Sequence, residues 1–207
     1  MKYEWRKQEK HIYVPKEEPV LIKIPNFKYI IIEGKGNPNS QEFSDKVSIL
    51  YQVSYAIRMM PKKGYTPEGY FEYTVYPLEG VWDLSTKGRQ LPALDKNELI
   101  YTIMIRQPEF VTETVFKQAI ELTRVKNNII LLNELKFESI EEGLCVQMMH
   151  IGSYDEEPRT FSVMRKYIQD HNLELVTKVH REIYLSDARK VEPQKQKTIL
   201  RYQVKNK

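Results

Sequence analysis

An α+β fold made of a duplicated strand-helix-strand-strand unit is predicted by three features of the sequence. Two stretches, "IIIEGKGNPNSQEFSDKVSIL" and "QMMHIGSYDEEPRTFSVMRKYI", each run from an apolar strand through a glycine, Gly34 or Gly152, and a polar proline-containing turn into an amphipathic helix, with Phe43 or Phe161 nine residues after the glycine. The order downstream also repeats, because each helix is followed by two strand-like runs: "YFEYTVYPL" and "ELIYTIMIR" after the first, "LELVTKVHREIYL" and "TILRYQV" after the second. Strands and helices of this size, with apolar positions on one side of each, imply an antiparallel sheet of about eight strands, helices on one face and a groove on the other near a pseudo-twofold axis.

The leading run "PVLIKIPNFKYIII" is β-branched and aliphatic and reads as extended chain of the first repeat. A helix follows from roughly Asn39 to Met60, with Phe43, Val47, Leu50, Tyr51 and Ser54 on one stripe. Between the repeats, "PEFVTETVFKQAIELTRVKN" places Val111, Val115, Phe116, Ala119, Ile120 and Leu122 at helical spacing, with Pro108 near its start. "NNIILLNELKFESIEEG" is then a connector with a short strand or turn around Leu131 to Phe137. The second repeat's helix runs from roughly Pro158 to Asp170, with Phe161, Met164 and Ile168 in step. The whole chain, 1–207, reads as one domain, with repeats at about 25–107 and 143–204 and the connecting helix and linker at about 108–142.

Lys and Arg number 32 against 28 Asp and Glu, a net charge of +4 with the signs interspersed, so no basic face for nucleic acid is expected. "MKYEWRKQEKHIYVP" is charged throughout, and no window is apolar enough to span a bilayer, so neither a secretory signal nor a membrane partner is expected. The lone Cys145 sits between Leu144 and Val146 and reads as a reduced, buried thiol of a cytoplasmic protein. Four scattered histidines, His11, His150, His171 and His180, lack metal-ligand spacing, and "EGKGNPNS" lacks the ending of a phosphate loop, so no metal or cofactor is expected. Tyrosines number 14, a supply of flat, polar-tipped rings suited to organic ligands.

The stretch "TKVHREIYLSDARK" carries a carboxylate, Glu182, inside an otherwise strand-like run. Alternation puts Leu175, Val179, Ile183 and Leu185 on one face and Lys178, His180, Glu182 and Tyr184 on the other. The first face is core. The second is either solvated sheet surface or a binding surface, and if the helices cover the apolar face, Glu182 looks into the groove opposite them.

The motifs "EGKGNPNS", "VYPLEGVW", "IMIRQPEFVT", "HIGSYDEEPRTF" and "HREIYLSDARKVEPQKQKTILRYQV", in this order over about residues 20 to 204, resemble the GyrI-like small-molecule-binding family. The resemblance implies a duplication of the SHS2 unit, and the stand-alone form of its bacterial members, without a DNA-binding helix-turn-helix, is expected. The resemblance implies an aromatic-lined groove in which a glutamate, Glu182 in this sequence, meets cationic or polar organic ligands such as xenobiotics and drugs. "PLEGVW" and "HREIYLSD" are similar to a branch of hydrolases that open the cyclopropane of DNA-alkylating natural products and so protect cells. Branch members carry a further aromatic where this chain has Asp83.

Candidate ligand-binding residues are therefore Glu182, Trp82, Tyr154, Tyr101, Tyr184 and Glu79. Candidate catalytic residues are Glu182, as general base or water-orienting group, with Tyr154 or His150 as donor. Each has a plainer reading: Trp82 and Tyr101 as core, Tyr154 as an exposed turn residue, His150 as a satisfied structural histidine, Glu79 as a turn residue. "YDEEP" reads as three carboxylates favouring the start of a helix. The expected partner is a small molecule, bound or hydrolysed by a monomer or weak homodimer.

Overall fold

The computed structural model of the protein describes residues 2–124 and 129–207. Its elements, in chain order, are α1 (Trp5–Gln8), α2 (Lys10–Tyr13), β1 (Val20–Lys35), α3 (Gln41–Met59), β2 (Leu78–Leu84), β3 (Leu99–Gln107), α4 (Glu113–Arg124), α5 (Ile129–Glu134), β4 (Lys136–Ile151), α6 (Glu157–Asp170), β5 (Leu173–Leu175), β6 (His180–Tyr184) and β7 (Lys197–Asn206). The fold is α+β with antiparallel strand pairing, as the periodicities predict. The chain divides into two compact units, one of Met1–Glu4, Phe27–Leu78 and Leu84–Ile140, the other of Trp5–Asn26, Glu79–Asp83 and Glu141–Lys207.

In the first unit, β1 and β3 pair through Ile30↔Ile105 and Gly34↔Tyr101. Ser40 caps α3 by accepting from the Phe43 amide, and α3 buries Ile49, Leu50, Val53 and Ile57. α4 adds Val115, Phe116, Ala119 and Ile120 from one stripe.

In the second unit, β6 pairs with β2 (Gly80↔Glu182, Trp82↔His180) and with β7 (Glu182↔Leu200), and β7 pairs with β4 (Met148↔Leu200) and β5 (Leu175↔Val204). One face of this sheet presents Val146, Met148, Leu200, Tyr202 and Val204 to Phe161, Met164 and Ile168 of α6. The reverse face carries Arg181, Arg201 and Gln147. There the Gln147 amide donates to the carbonyls of His11 and Ile12, which ties the α1–α2 segment to the sheet. Trp5, Ile12 and Tyr13 of that segment are buried, although its sequence reads as uniformly charged.

Four expectations change. "YFEYTVYPL" is not a strand: Tyr73 makes an isolated bridge to Tyr3, and pairing starts only at Leu78, after Pro77, which has no amide to donate. "LELVTKVHREIYL" breaks into β5 and β6 because the Thr177 hydroxyl accepts from the Val179 amide and turns the chain locally. Leu131 to Glu134 is helical within α5, and strand begins at Lys136; a short apolar run carries no period that separates the two states. Seven strands form among the described residues, against about eight expected. The expected helix end Val125–Asn127 and connector start Asn127–Asn128 lie outside the described residues.

Candidate functional site

The polar cluster lies within the second unit, where β2 and β6 run side by side under the start of α6. Tyr184 and His180 flank Glu182 at the two positions of the same strand face. The Tyr184 hydroxyl donates to one carboxylate oxygen of Glu182 at 2.8 Å, and the His180 Nε2 lies 2.9 Å from the other. Trp82, the register partner of His180, donates its indole N–H to the Tyr184 oxygen at 2.7 Å. An indole N–H only donates, so the tyrosine must accept there and its own hydrogen is directed to Glu182. Glu182 is buried, 8% exposed, with a hydrogen-bond partner at each carboxyl oxygen.

Two groups, one from the turn before α6 and one from its first residue, complete the cluster. The Tyr154 ring, 40% exposed, stands edge-on to Tyr184 with centroids 5.9 Å apart. Its hydroxyl is pushed up to about 12 by burial first and then by the charges of Glu182, Glu157 and Asp187. Burial, and then Glu182, also raises Tyr184 well above the ordinary tyrosine range. Glu157, the first residue of α6, is buried, and its Oε1 finds no hydrogen-bond partner among the described residues. Burial, and after it the charge of Glu182, raises its carboxyl far above the ordinary range, to about 9. Near neutral pH the Glu157 carboxyl therefore keeps its proton, which fits it to serve as an acid in a hydrolytic site.

The register corrects the side on which Glu182 lies. Leu200, its partner on β7, belongs to the core beneath α6, so Glu182 shares the helix-bearing face instead of the helix-free one. The parity reading paired helix and Ile183 because both are apolar. In fact Ile183 shares its face with Arg181, whose guanidinium pairs with Glu79 at 2.7 Å and Glu142 at 2.9 Å. Arg201 adds ion pairing to Glu142 and hydrogen bonds to Gln147. Although burial raises the Glu142 carboxyl, Arg201 and Arg181 outweigh it and hold it below the ordinary range.

Of the residues singled out in the sequence, the structure brings together Glu182, Tyr184, Trp82 and Tyr154. Glu79 faces the opposite way, 1% exposed and paired with Arg181. His150 is fully buried, with Nδ1 2.8 Å from the Thr160 hydroxyl and Nε2 3.0 Å from the Ser153 carbonyl. A carbonyl only accepts, so Nε2 carries hydrogen and the ring ties β4 to the turn before α6. Tyr101 belongs to the first unit, where its ring fills the space above Gly34 and stands edge-on to Phe43 at 5.0 Å. Sequence reasoning put His180 on the face of Glu182 and Glu157 at a helix start, but named neither as a site residue. For His180 a signal existed, the i, i+2 spacing that puts it beside Glu182 on one strand face. For Glu157 none did, since Asp155, Glu156 and Glu157 look alike at a helix start. Among the described residues no group of three His, Cys, Asp or Glu side chains could hold a metal, and no helix is long and apolar enough to cross a membrane.

The site is thus a buried glutamate flanked by aromatic rings on an α+β scaffold. The model of the GyrI-like small molecule binding domain matches residues 17–205, and the chain belongs to that family. A crystal structure of a hydrolase from Listeria innocua is similar at 36% identity and a TM-score of 0.91, covering 99% of this chain and 100% of the other. An uncharacterised conserved protein from Listeria innocua is similar at 38% identity and a TM-score of 0.90, with the same coverage. The C-terminal domain of EcmrR, 14% identical over 92% of this chain and 98% of its own with a TM-score of 0.52, shares the fold. No curated protein matches the chain.

Proposed function

We propose that the second unit binds an aromatic, electrophilic small molecule at Glu182, Trp82, Tyr184 and Tyr154 and hydrolyses it by opening a strained ring. The observation that carries this reading is the buried pair of carboxyl groups, Glu182 held at each oxygen by Tyr184 and His180 and Glu157 kept protonated. The full-length similarity to a Listeria innocua hydrolase at 36% identity supports it.

The substrate class is a cyclopropane fused to a conjugated carbonyl, as in DNA-alkylating natural products. Ionised Glu182 takes a proton from a water as the water oxygen bonds to the strained carbon. The carbon–carbon bond breaks, its electron pair moves through the conjugated system to the carbonyl oxygen, and Glu157 donates its proton there. The proton on Glu182 then returns to Glu157 by way of solvent, so the net change is addition of one water. Positioned proton transfer of this kind contributes about 10² to 10⁴ in rate. The rings of Trp82, Tyr184 and Tyr154 supply flat surface for the ligand and exclude competing water.

The second reading is capture without turnover. It is favoured by the anionic Glu182 set among rings, an arrangement that attracts organic cations by about 0.5 to 2 kcal/mol per ring in addition to charge pairing. Mass spectrometry after incubation with a cyclopropane-bearing alkylator separates the two. A product heavier by one water, lost at least about a hundredfold in Glu182→Gln and Glu157→Gln, supports hydrolysis. A ligand retained unchanged by the protein sinks hydrolysis and leaves sequestration.

A further inference from the structure

Resting on the hydrolytic reading above, we infer that His180 is a positioning residue that locks the Glu182 carboxylate in the rotamer from which it takes a proton from water. The torsion that orients a glutamate carboxylate is broad and nearly two-fold, so the backbone of β6 cannot set it. Donors must. One comes from Tyr184, itself held by Trp82, and occupies one oxygen. The other is His180, whose Nε2 lies 2.9 Å from the remaining oxygen. With both oxygens held, the carboxylate plane is fixed, and the lone pairs left over point in defined directions. A neutral ring with hydrogen on Nε2 and a charged ring both make this contact, so the role does not depend on the charge of His180.

The ring is itself held. It stands edge-on to Phe161 of α6 with centroids 4.7 Å apart, and to Tyr202 of β7 at 6.2 Å. His180 also pairs in register with Trp82, so both donors to Glu182 are anchored on one strand pair, β2 with β6. Neither the shape of the ring nor its apolar packing requires a nitrogen at Nε2; only the carboxylate uses it. A phenyl ring would satisfy Phe161 and Tyr202 and leave one oxygen of Glu182 free to swing.

Two variants test this on the intact chain. His180→Phe keeps a ring against Phe161 and Tyr202 but removes the donor. It is expected to lower kcat on the cyclopropane probe about tenfold or more, with KM within about twofold and an unchanged unfolding temperature. His180→Gln, whose amide N–H reaches the carboxylate, is expected to recover at least part of that loss. A Phe variant as fast as the parent, or Phe and Gln variants equally slow, overturns the assignment. Histidine ring ¹⁵N spectra provide a readout that needs no turnover. Hydrogen on Nε2 of His180, with a resonance that moves in Glu182→Gln, supports the contact; hydrogen on Nδ1 alone, or no response, overturns it. If the unaltered protein adds no water to the probe, the hydrolytic reading fails, and the spectra still decide whether His180 holds Glu182.

Discussion

Glu157 is the residue at which chemistry and stability oppose each other. Its carboxyl is raised in the folded protein, so the folded state binds a proton that the unfolded chain releases near the ordinary glutamate range. The sign follows from linkage: the contribution is fully present below the unfolded value and is lost as pH rises toward about 9. Stability should therefore fall between about pH 5 and pH 8. Glu157→Gln, which imitates the protonated form, should remove that slope and be more stable than the parent at pH 8 by up to roughly 4 kcal/mol. Urea unfolding at pH 5 and pH 8 measures both, and parallel pH dependence in the two proteins would remove Glu157 as the source. The same variant should be inactive as an acid, so stability gained with activity lost is the expected pair. Cys145 is the opposite kind of group, a buried thiol pushed up to about 12 by burial and then by Glu142. It should resist thiol reagents until the protein unfolds, a property legible in the apolar neighbours on either side of it.

At the level of elements, the pairing of β2 with β6 constructs the site, and Gly80 leaves room for the Trp82 and Tyr184 side chains to meet there. A Cβ at Gly80 would lie 2.7 Å from the Trp82 indole nitrogen and 3.1 Å from the Tyr184 oxygen, the two ends of the bond that directs the tyrosine to Glu182. Gly80→Ala should force the two side chains apart, destabilise the protein by about 1 to 3 kcal/mol and weaken binding of an aromatic cation, read by the fluorescence of Trp82. A variant with parental stability and affinity would remove the tight fit as a requirement. The motif "PLEGVW" was visible in the sequence, but the purpose of its glycine was not, because the Trp82 indole it makes room for is bonded to a tyrosine on a strand about a hundred residues later. Helices α3, α4 and α6 were legible because each has one apolar stripe over several turns. α5 was not, since a run of six residues is too short to display a period. The break between β5 and β6 depends on a single side-chain bond at Thr177, which propensity does not reveal.

Across the molecule, what the sequence concealed is which face of the second unit's sheet does which work. Alternation grouped His180, Glu182 and Tyr184 correctly, but it could not tell the helix face from the reverse face, because β6 is buried on both. The reverse face is closed by an ion network, with Arg181 between Glu79 and Glu142 and Arg201 against Glu142 and Gln147. Burying one charge without its partner is far more costly than burying the pair. Arg181→Met should therefore lower stability by about 3 to 5 kcal/mol, because Glu79 loses the guanidinium it faces while Glu142 retains Arg201. Adding Glu79→Gln to that variant removes the stranded charge and should recover a substantial part of the loss, a coupling of at least about 1 kcal/mol in a double-mutant cycle by urea unfolding. Additive effects would mean that Glu79 does not depend on Arg181, and would return it to consideration as a ligand-binding carboxylate. Coupled effects, with ligand affinity unchanged in Glu79→Gln alone, would place the second carboxylate of the "PLEG" and "HREIY" motifs in the scaffold and leave Glu157 as the partner of Glu182.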